Sequence, residues 1–240
     1  MLPYLNMKKK ILCSLKSAFP HTVPIMAGFL FLGMSYGIFA RSKGLPPWLP
    51  TLTSVAVFGG SLEFVGVSLL TSAFSPIQAF LMGLMVQARH LFYGVSMLEK
   101  YKSTGNMKPY LVYGLCDETF SINYTATPSE KSDRVWFMFF VTLLNHLYWI
   151  TGATVGSLIG SIFPFSTEGL DFVMTAMFAV IFLEQLLKEK KHYTSMIGLA
   201  STALCLIIFG KESFLIPSMI LILTLLLAFS KTIEKRGGLE

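Results

Sequence analysis

The chain has 240 residues, 53% hydrophobic and 13% charged, with a net charge of +6 and a mean hydropathy of +0.63. An ordinary soluble domain carries about 25% charged residues, so this is a membrane composition. The longest polar stretches, 99–108 and 125–134, are ten residues each, which excludes a soluble catalytic domain. The basic residues lie in short loops between apolar runs, where positive charge orients a membrane protein, rather than on one nucleic-acid-binding face. Cys13, Cys116 and Cys205 form neither an even-numbered disulfide framework nor a metal-ligand spacing.

In chain order, residues 1–17 carry Lys8, Lys9, Lys10 and Lys16 and are expected in the cytoplasm. Lys8 to Lys10 resemble a signal n-region, but Lys16 interrupts the apolar stretch behind them, so the first span is expected to be retained. Apolar runs approaching the roughly 20 residues that cross a hydrocarbon core follow at 20–40, 52–74, 77–98, 135–163, 170–187, Tyr193–Gly210 and 214–230. A cytoplasmic tail, 231–240, closes the chain. The expected fold is an all-α polytopic integral membrane bundle, a single domain over 1–240 with six or seven transmembrane helices.

Seven plain crossings with a cytoplasmic C-terminus would place Lys8, Lys9, Lys10, Lys16 and Lys211 outside. If 49–73 instead dips in from the outer face and returns, the misplaced residues are Arg41, Lys43 and Lys211, and fifteen basic residues face the cytoplasm. VFGGSLEFVG, 57–66, supplies a reason, because paired glycines weaken a helix. YLVYGLCDETFSINYTA, 110–126, is too short and too acidic at its centre to span. These two broken or re-entrant segments, near 50–73 and 110–126, share a loose pattern: Phe58-Gly59 before Glu63-Phe64, and Tyr113-Gly114 before Glu118-Thr119-Phe120. Two such elements entering from opposite faces would make an inverted-repeat arrangement with a site near the midplane. Close helix packing at Gly59 and Gly60 is the alternative.

Ionisable groups inside spans are costly and mark a pathway, a binding site or an internal pair. Here they are Glu63, Arg89, His90, Asp117, Glu118 and His146, with Glu184 near a membrane edge. In VQARHLFYG, Arg89 stands near the centre of an apolar run. Its planar fork suits a substrate carboxylate, or a structural pair with Glu63, Asp117 or Glu118. His90 points about 100° away on the same helix and could relay protons or simply bond a neighbouring carbonyl. Asp117 and Glu118 could hold a substrate ammonium, carry protons, or cap a half-helix. In NHLYWITGATVGSLIG, Gly152, Gly156 and Gly160 recur every four residues, a packing stripe. Asn145 and Trp149 share another face one turn apart, where they could line a small-molecule pocket or fill the core. No metal or phosphate-loop spacing is present, so no cofactor is expected and energy would come from an ion gradient or none.

AFPHTVPIMAGFLFLGMSYG, QARHLFYG, LCDETFSI, WITGATVGSLIG and GLDFVMTAMF together resemble the AzlC family, the large subunit of bacterial branched-chain amino acid exporters. The resemblance runs over about 18–187. It implies export of leucine, isoleucine, valine and methionine across the bacterial cytoplasmic membrane, alongside a small hydrophobic AzlD-type subunit. It also suggests Arg89, Asp117, Glu118, Glu63, Asn145, Trp149 and Tyr93 as substrate-binding residues, with Glu63, His90, Asp117 and Glu118 coupling protons. Glu63 and Gln87 stand where family members usually carry glutamine and asparagine. A membrane assembly subunit, whose buried charges bind a partner, is the rival reading.

Overall fold

The computed structural model describes residues 2–72, 75–129, 132–162 and 192–214, with shorter groups between 172 and 187 and between 217 and 229. They fall into two compact units, Met1–Asp171 and Phe172–Glu240. The first contains α1 (Leu2–Ser42), α2 (Trp48–Ala56), α3 (Ser61–Thr71), α4 (Pro76–Val86), α5 (Ala88–Tyr101), α6 (Lys108–Tyr113), α7 (Asp117–Thr125) and α8 (Arg134–Ile162). The protein is an all-α integral membrane protein. Three described helices are long and apolar enough to cross a bilayer: Met7–Ser42, Arg134–Ile162 and Tyr193–Gly210.

α1 is longer than the apolar run at 20–40 suggests. Its 41 residues continue through the basic segment, with Pro20 and Pro24 inside the helix. At 1.5 Å per residue it spans roughly 60 Å, about twice the hydrocarbon thickness. Between the prolines, the Thr22 hydroxyl donates to the Phe19 carbonyl at 3.0 Å.

α1 and α8 pack backbone to backbone, and the glycine stripe is the cause. A Cβ on Gly33 would lie 2.9 Å from the Ala153 nitrogen, and one on Gly152 would lie 2.8 Å from the Leu30 carbonyl oxygen. At Gly37 a Cβ would run into the backbone of Ala153 and Ser157, and at Gly156 into the backbone of Met34. The Gly152, Gly156 and Gly160 face is therefore a packing surface, and Gly33 and Gly37 are its counterpart on α1. Towards the other end of α8, Phe137, Met138 and Val141 pack with Met97, Leu111 and Ile122, which ties α5, α6 and α7 to the same long helix.

The remaining helices come as three broken pairs. The α2/α3 break falls at 57–60 and the α6/α7 break at 114–116, inside the two segments expected to be broken. Phe58 (φ 45°) and Gly60 (φ 46°) both adopt left-handed backbone at the first break. Glycine takes that conformation freely, whereas phenylalanine is strained in it. The third break was not expected: 77–98 reads as one continuous span, yet the helix is interrupted at Gln87 (φ −99°, ψ 8°) between α4 and α5. Neither glycine nor proline stands there. The cause is tertiary, since the Gln87 side chain is held across the first break.

In the second unit, α9 (Tyr193–Ser213) matches the expected span and turns at Gly210, where φ is 72°. The expected spans at 170–187 and 214–230 are helical at the positions described, apart from a bend at Phe214. Glu184, most of GLDFVMTAMF and the tail 231–240 lie outside the described residues.

Candidate functional site

The first and third breaks are joined by polar side chains. Gln87 Nε2 donates to the Gly59 carbonyl at 3.2 Å, and Glu63 Oε2 accepts the Gly60 N–H at 3.1 Å. Both ends of the Gly59–Gly60 peptide are thus held, one by each side chain. A helix break at membrane depth must find such partners within the protein, because lipid offers none. Glu63 sits in the first turn of α3, where a carboxylate complements the free N–H groups and the helix dipole. The capping arrangement considered for Asp117 and Glu118 is made here by Glu63.

Arg89, in the first turn of α5, lies two residues beyond the Gln87 break. Its Nη1 meets Asp117 Oδ2 at 2.6 Å, with the two side chains 31% and 24% exposed. Its Nη2 donates to Ser61 Oγ at 3.4 Å. Of the three carboxylates open to Arg89 on sequence grounds, Asp117 takes it. Asp117 and Glu118 occupy the first turn of α7, whose N-cap, Cys116, makes no side-chain cap bond. Tyr93, one turn along α5 from Arg89, stacks on Phe120 with ring centroids 4.6 Å apart and comes within reach of Asp117. His90 lies beside Tyr93, at 5.6 Å between centroids.

α8 forms the other wall. Asn145 is fully buried and donates through Nδ2 to Thr119 Oγ1 at 3.2 Å. Trp149 is not lipid-facing: it is 3% exposed, lies against Phe29 and Tyr36, and donates its indole N–H to Glu63 Oε2 at 2.6 Å. Replacing Trp149 by phenylalanine keeps the ring and removes that donor. We expect a loss of about 1–3 kcal/mol, measured as a lower unfolding midpoint of the purified protein; an unchanged midpoint would mean that the bond contributes nothing.

His146 is a residue to which sequence reasoning assigned no role. Its Nε2 lies 3.2 Å from the Ser54 carbonyl and its Nδ1 3.1 Å from the Tyr110 hydroxyl. A carbonyl only accepts, so Nε2 carries the hydrogen; in the neutral ring Nδ1 accepts from Tyr110. The ring also packs on Phe58, 4.4 Å between centroids. Tyr113, at the end of α6, donates to the Val55 carbonyl near the end of α2 at 2.5 Å. The two broken segments noticed in the sequence therefore meet tip to tip, with His146 between them. Its one available signal was a histidine within an apolar span.

Among the described residues, buried polar atoms without a hydrogen-bond partner concentrate here: Glu63 Oε1, Gln87 Oε1, Arg89 Nε, His90 Nδ1, Asp117 Oδ1, Asn123 Oδ1 and Asn145 Oδ1. Orphaned buried groups are rare in folded proteins. All but Asn123 belong to the set just described, which comprises Glu63, Gln87, Arg89, His90, Tyr93, Asp117, Glu118, Asn145 and Trp149.

These features define a polytopic helical membrane protein in which interrupted helices enclose a charged, hydrogen-bonding centre. The chain belongs to the AzlC family. A family model described as AzlC protein matches residues 24–163. The chain is 54% identical over 232 residues to the branched-chain amino acid transport protein AzlC of Bacillus subtilis, covering 97% of this chain and 91% of that one. It is 47% identical to an uncharacterized membrane protein of Haemophilus influenzae, with 88% of each chain covered. It is 23% identical to the inner membrane protein YgaZ of Escherichia coli, over 65% of this chain and 67% of that one. No solved structure matches significantly.

Proposed function

We propose that this protein is a secondary transporter that exports leucine, isoleucine, valine and methionine across the bacterial cytoplasmic membrane. It works with a small hydrophobic AzlD-type subunit and draws on the proton gradient. The similarity to the Bacillus subtilis transport protein supports the substrate class.

The observation that carries the reading is the unused capacity of the Arg89–Asp117 pair. Arg89 retains a buried Nε–H and Asp117 a buried Oδ1, each without a partner. A donor and an acceptor on neighbouring, oppositely charged groups complement the carboxylate and ammonium of an α-amino acid. Bidentate recognition of the carboxylate is the particular strength of a guanidinium. The substrate can dock without separating the pair, so neither charge is left alone. Tyr93 and Phe120 form an aromatic wall beside it for an apolar tail. Glu63, His90, Asp117 and Glu118 are the groups through which protons would couple to the cycle, and Asn145 and Trp149 complete the pocket from α8.

Efflux of preloaded labelled leucine, isoleucine, valine and methionine from cells expressing the chain with its partner tests this function. Export above that of cells lacking the chain is expected; no efflux of any of the four would contradict the reading. We further propose six crossings with the two broken segments re-entrant, which puts the N-terminus inside. A cysteine at Lys9 should then react with an impermeant thiol reagent only after the membrane is opened. Labelling of intact cells would favour seven crossings.

A further inference from the structure

α5 and α7 lie side by side and run parallel. Their N-terminal ends meet where Arg89 pairs with Asp117, and their C-terminal ends meet where the Lys100 ammonium donates to the Tyr124 carbonyl and lies 3.9 Å from the centre of its ring. Between these points Tyr93 stacks on Phe120, and Phe120 stacks on Tyr124 at 5.3 Å between centroids. Arg89, Tyr93, Ser96 and Lys100 follow at i, i+4, i+7 and i+11 of α5, which at about 100° per residue places them within an arc of about 60°. Asp117, Ser121 and Tyr124 repeat the i, i+4, i+7 spacing on α7. Each half-helix carries a polar stripe, and the contacts turn the two stripes towards each other.

Neither stripe belongs to the lipid face or to the core. On α5 the side suited to lipid is formed by Leu91, Phe92, Val95 and Leu98, all more than half exposed and spread over the other side of the helix. On α7 the core side carries Thr119, Ile122 and Asn123, all buried and turned away from the stripe. Ser96 and Ser121 are nevertheless exposed, and Arg89 and Asp117 keep 31% and 24% of their side-chain surface. Partly exposed charges at membrane depth are costly against hydrocarbon and line a water-filled cavity instead. The length agrees, since the eleven residues from Arg89 to Lys100 rise about 16 Å, roughly half of a hydrocarbon core of about 30 Å. A groove that starts near the midplane therefore ends at a membrane surface, where Lys100 adjoins the polar stretch 99–108.

We propose that the groove between the α5 and α7 stripes is the water-filled path by which an amino acid reaches the Arg89–Asp117 pair from the cytoplasm, with Lys100 and Tyr124 at its mouth. This rests on the export reading and on the six-crossing topology, which puts the ends of α5 and α7 inside. The path suits a zwitterion with an apolar tail. Hydroxyls of Tyr93, Ser96 and Ser121 and the water between them keep the charged ends solvated, and the Phe120 and Tyr124 rings give the tail a surface to slide along.

The test introduces one cysteine at a time, at Ser96, at Ser121 or, on the lipid side of α5, at Val95, in the full chain with its proposed partner subunit. Membrane vesicles of each orientation are treated with a charged, impermeant thiol reagent, and labelling at each position is read by mass spectrometry. Ser96→Cys and Ser121→Cys should react from the cytoplasmic side at least about tenfold faster than Val95→Cys, because the reactive thiolate forms in water and not in lipid. Saturating leucine should slow the reaction at Ser121→Cys, one turn from Asp117. Reaction no faster than at Val95→Cys, or only from the outer side, would overturn the proposal whatever the protein transports. If one serine variant does not accumulate, the other decides by the same comparison. Fast cytoplasmic labelling that leucine leaves unchanged would keep the groove but overturn its use by amino acids, a failure of the export reading rather than of the geometry.

Discussion

Gly156→Ala is expected to destabilise the protein by about 1–3 kcal/mol or more, the cost of forcing extra volume into a packed interior. The added Cβ would coincide with the Met34 backbone, so no rotamer change relieves the clash. α1 and α8 would have to move apart along a contact that also includes Gly33, Gly37 and Gly152. Because α8 carries Asn145, His146 and Trp149, that separation would also disturb the polar centre. The measurement is the unfolding midpoint and the monodisperse fraction in detergent, compared with Gly94→Ala on α5, where a Cβ meets nothing within 4 Å. A Gly156→Ala protein as stable as the Gly94→Ala control would mean that the close approach of α1 and α8 is wrong.

Substitution of Arg89 is expected to have the largest effect on substrate. Arg89→Gln leaves Asp117 without its counter-ion and removes the donor fork. Truncating one partner of a hydrogen-bonded charge pair typically costs about 2–5 kcal/mol. The partial exposure of this pair places it towards the lower end, roughly 100-fold in leucine affinity at 1.4 kcal/mol per decade. Arg89→Lys separates charge from shape: it keeps a cation for Asp117 but has no Nε–H beside the first bond. We expect Arg89→Lys to restore the abundance lost in Arg89→Gln without restoring leucine binding. Equal recovery of both would mean that Arg89 serves only to hold α5 against α7. Loss of the complex with the partner subunit in Arg89→Gln, at normal stability, would favour the assembly reading instead.

Two of the three helix breaks were legible because local chemistry marks them: Gly59-Gly60 weakens the first, and the acidic run at Asp117-Glu118 makes the second too polar to span. The Gln87 break carries no such mark. It depends on a bond to Gly59, 28 residues away, and a partner at that distance leaves no local trace. The same holds for Trp149 and Glu63, 86 residues apart, which were each picked out but could not be paired. Arg89 could be matched only to a choice of three carboxylates, because periodicity places a residue on a face and does not say which helix lies opposite. The length of α1 was hidden because the apolar run at 20–40 marks only the part that suits the hydrocarbon core, and the basic segment before it carries no apolar signal. The glycine stripe on α8 was visible as spacing, and its counterpart, Gly33 and Gly37, became meaningful once the two helices were seen in contact.

The central claim is that Arg89 and Asp117 together recognise the two charged ends of an α-amino acid. Competition against labelled leucine binding to the purified protein, with the proposed partner subunit present, tests it most directly, using 4-methyl-2-oxopentanoate, which lacks the ammonium, and 3-methylbutylamine, which lacks the carboxylate. The account predicts that unlabelled leucine displaces the label while each one-ended analogue competes at least about tenfold more weakly, a cost of roughly 1.4 kcal/mol for each end lost. Competition by either analogue as strong as that of leucine would contradict it.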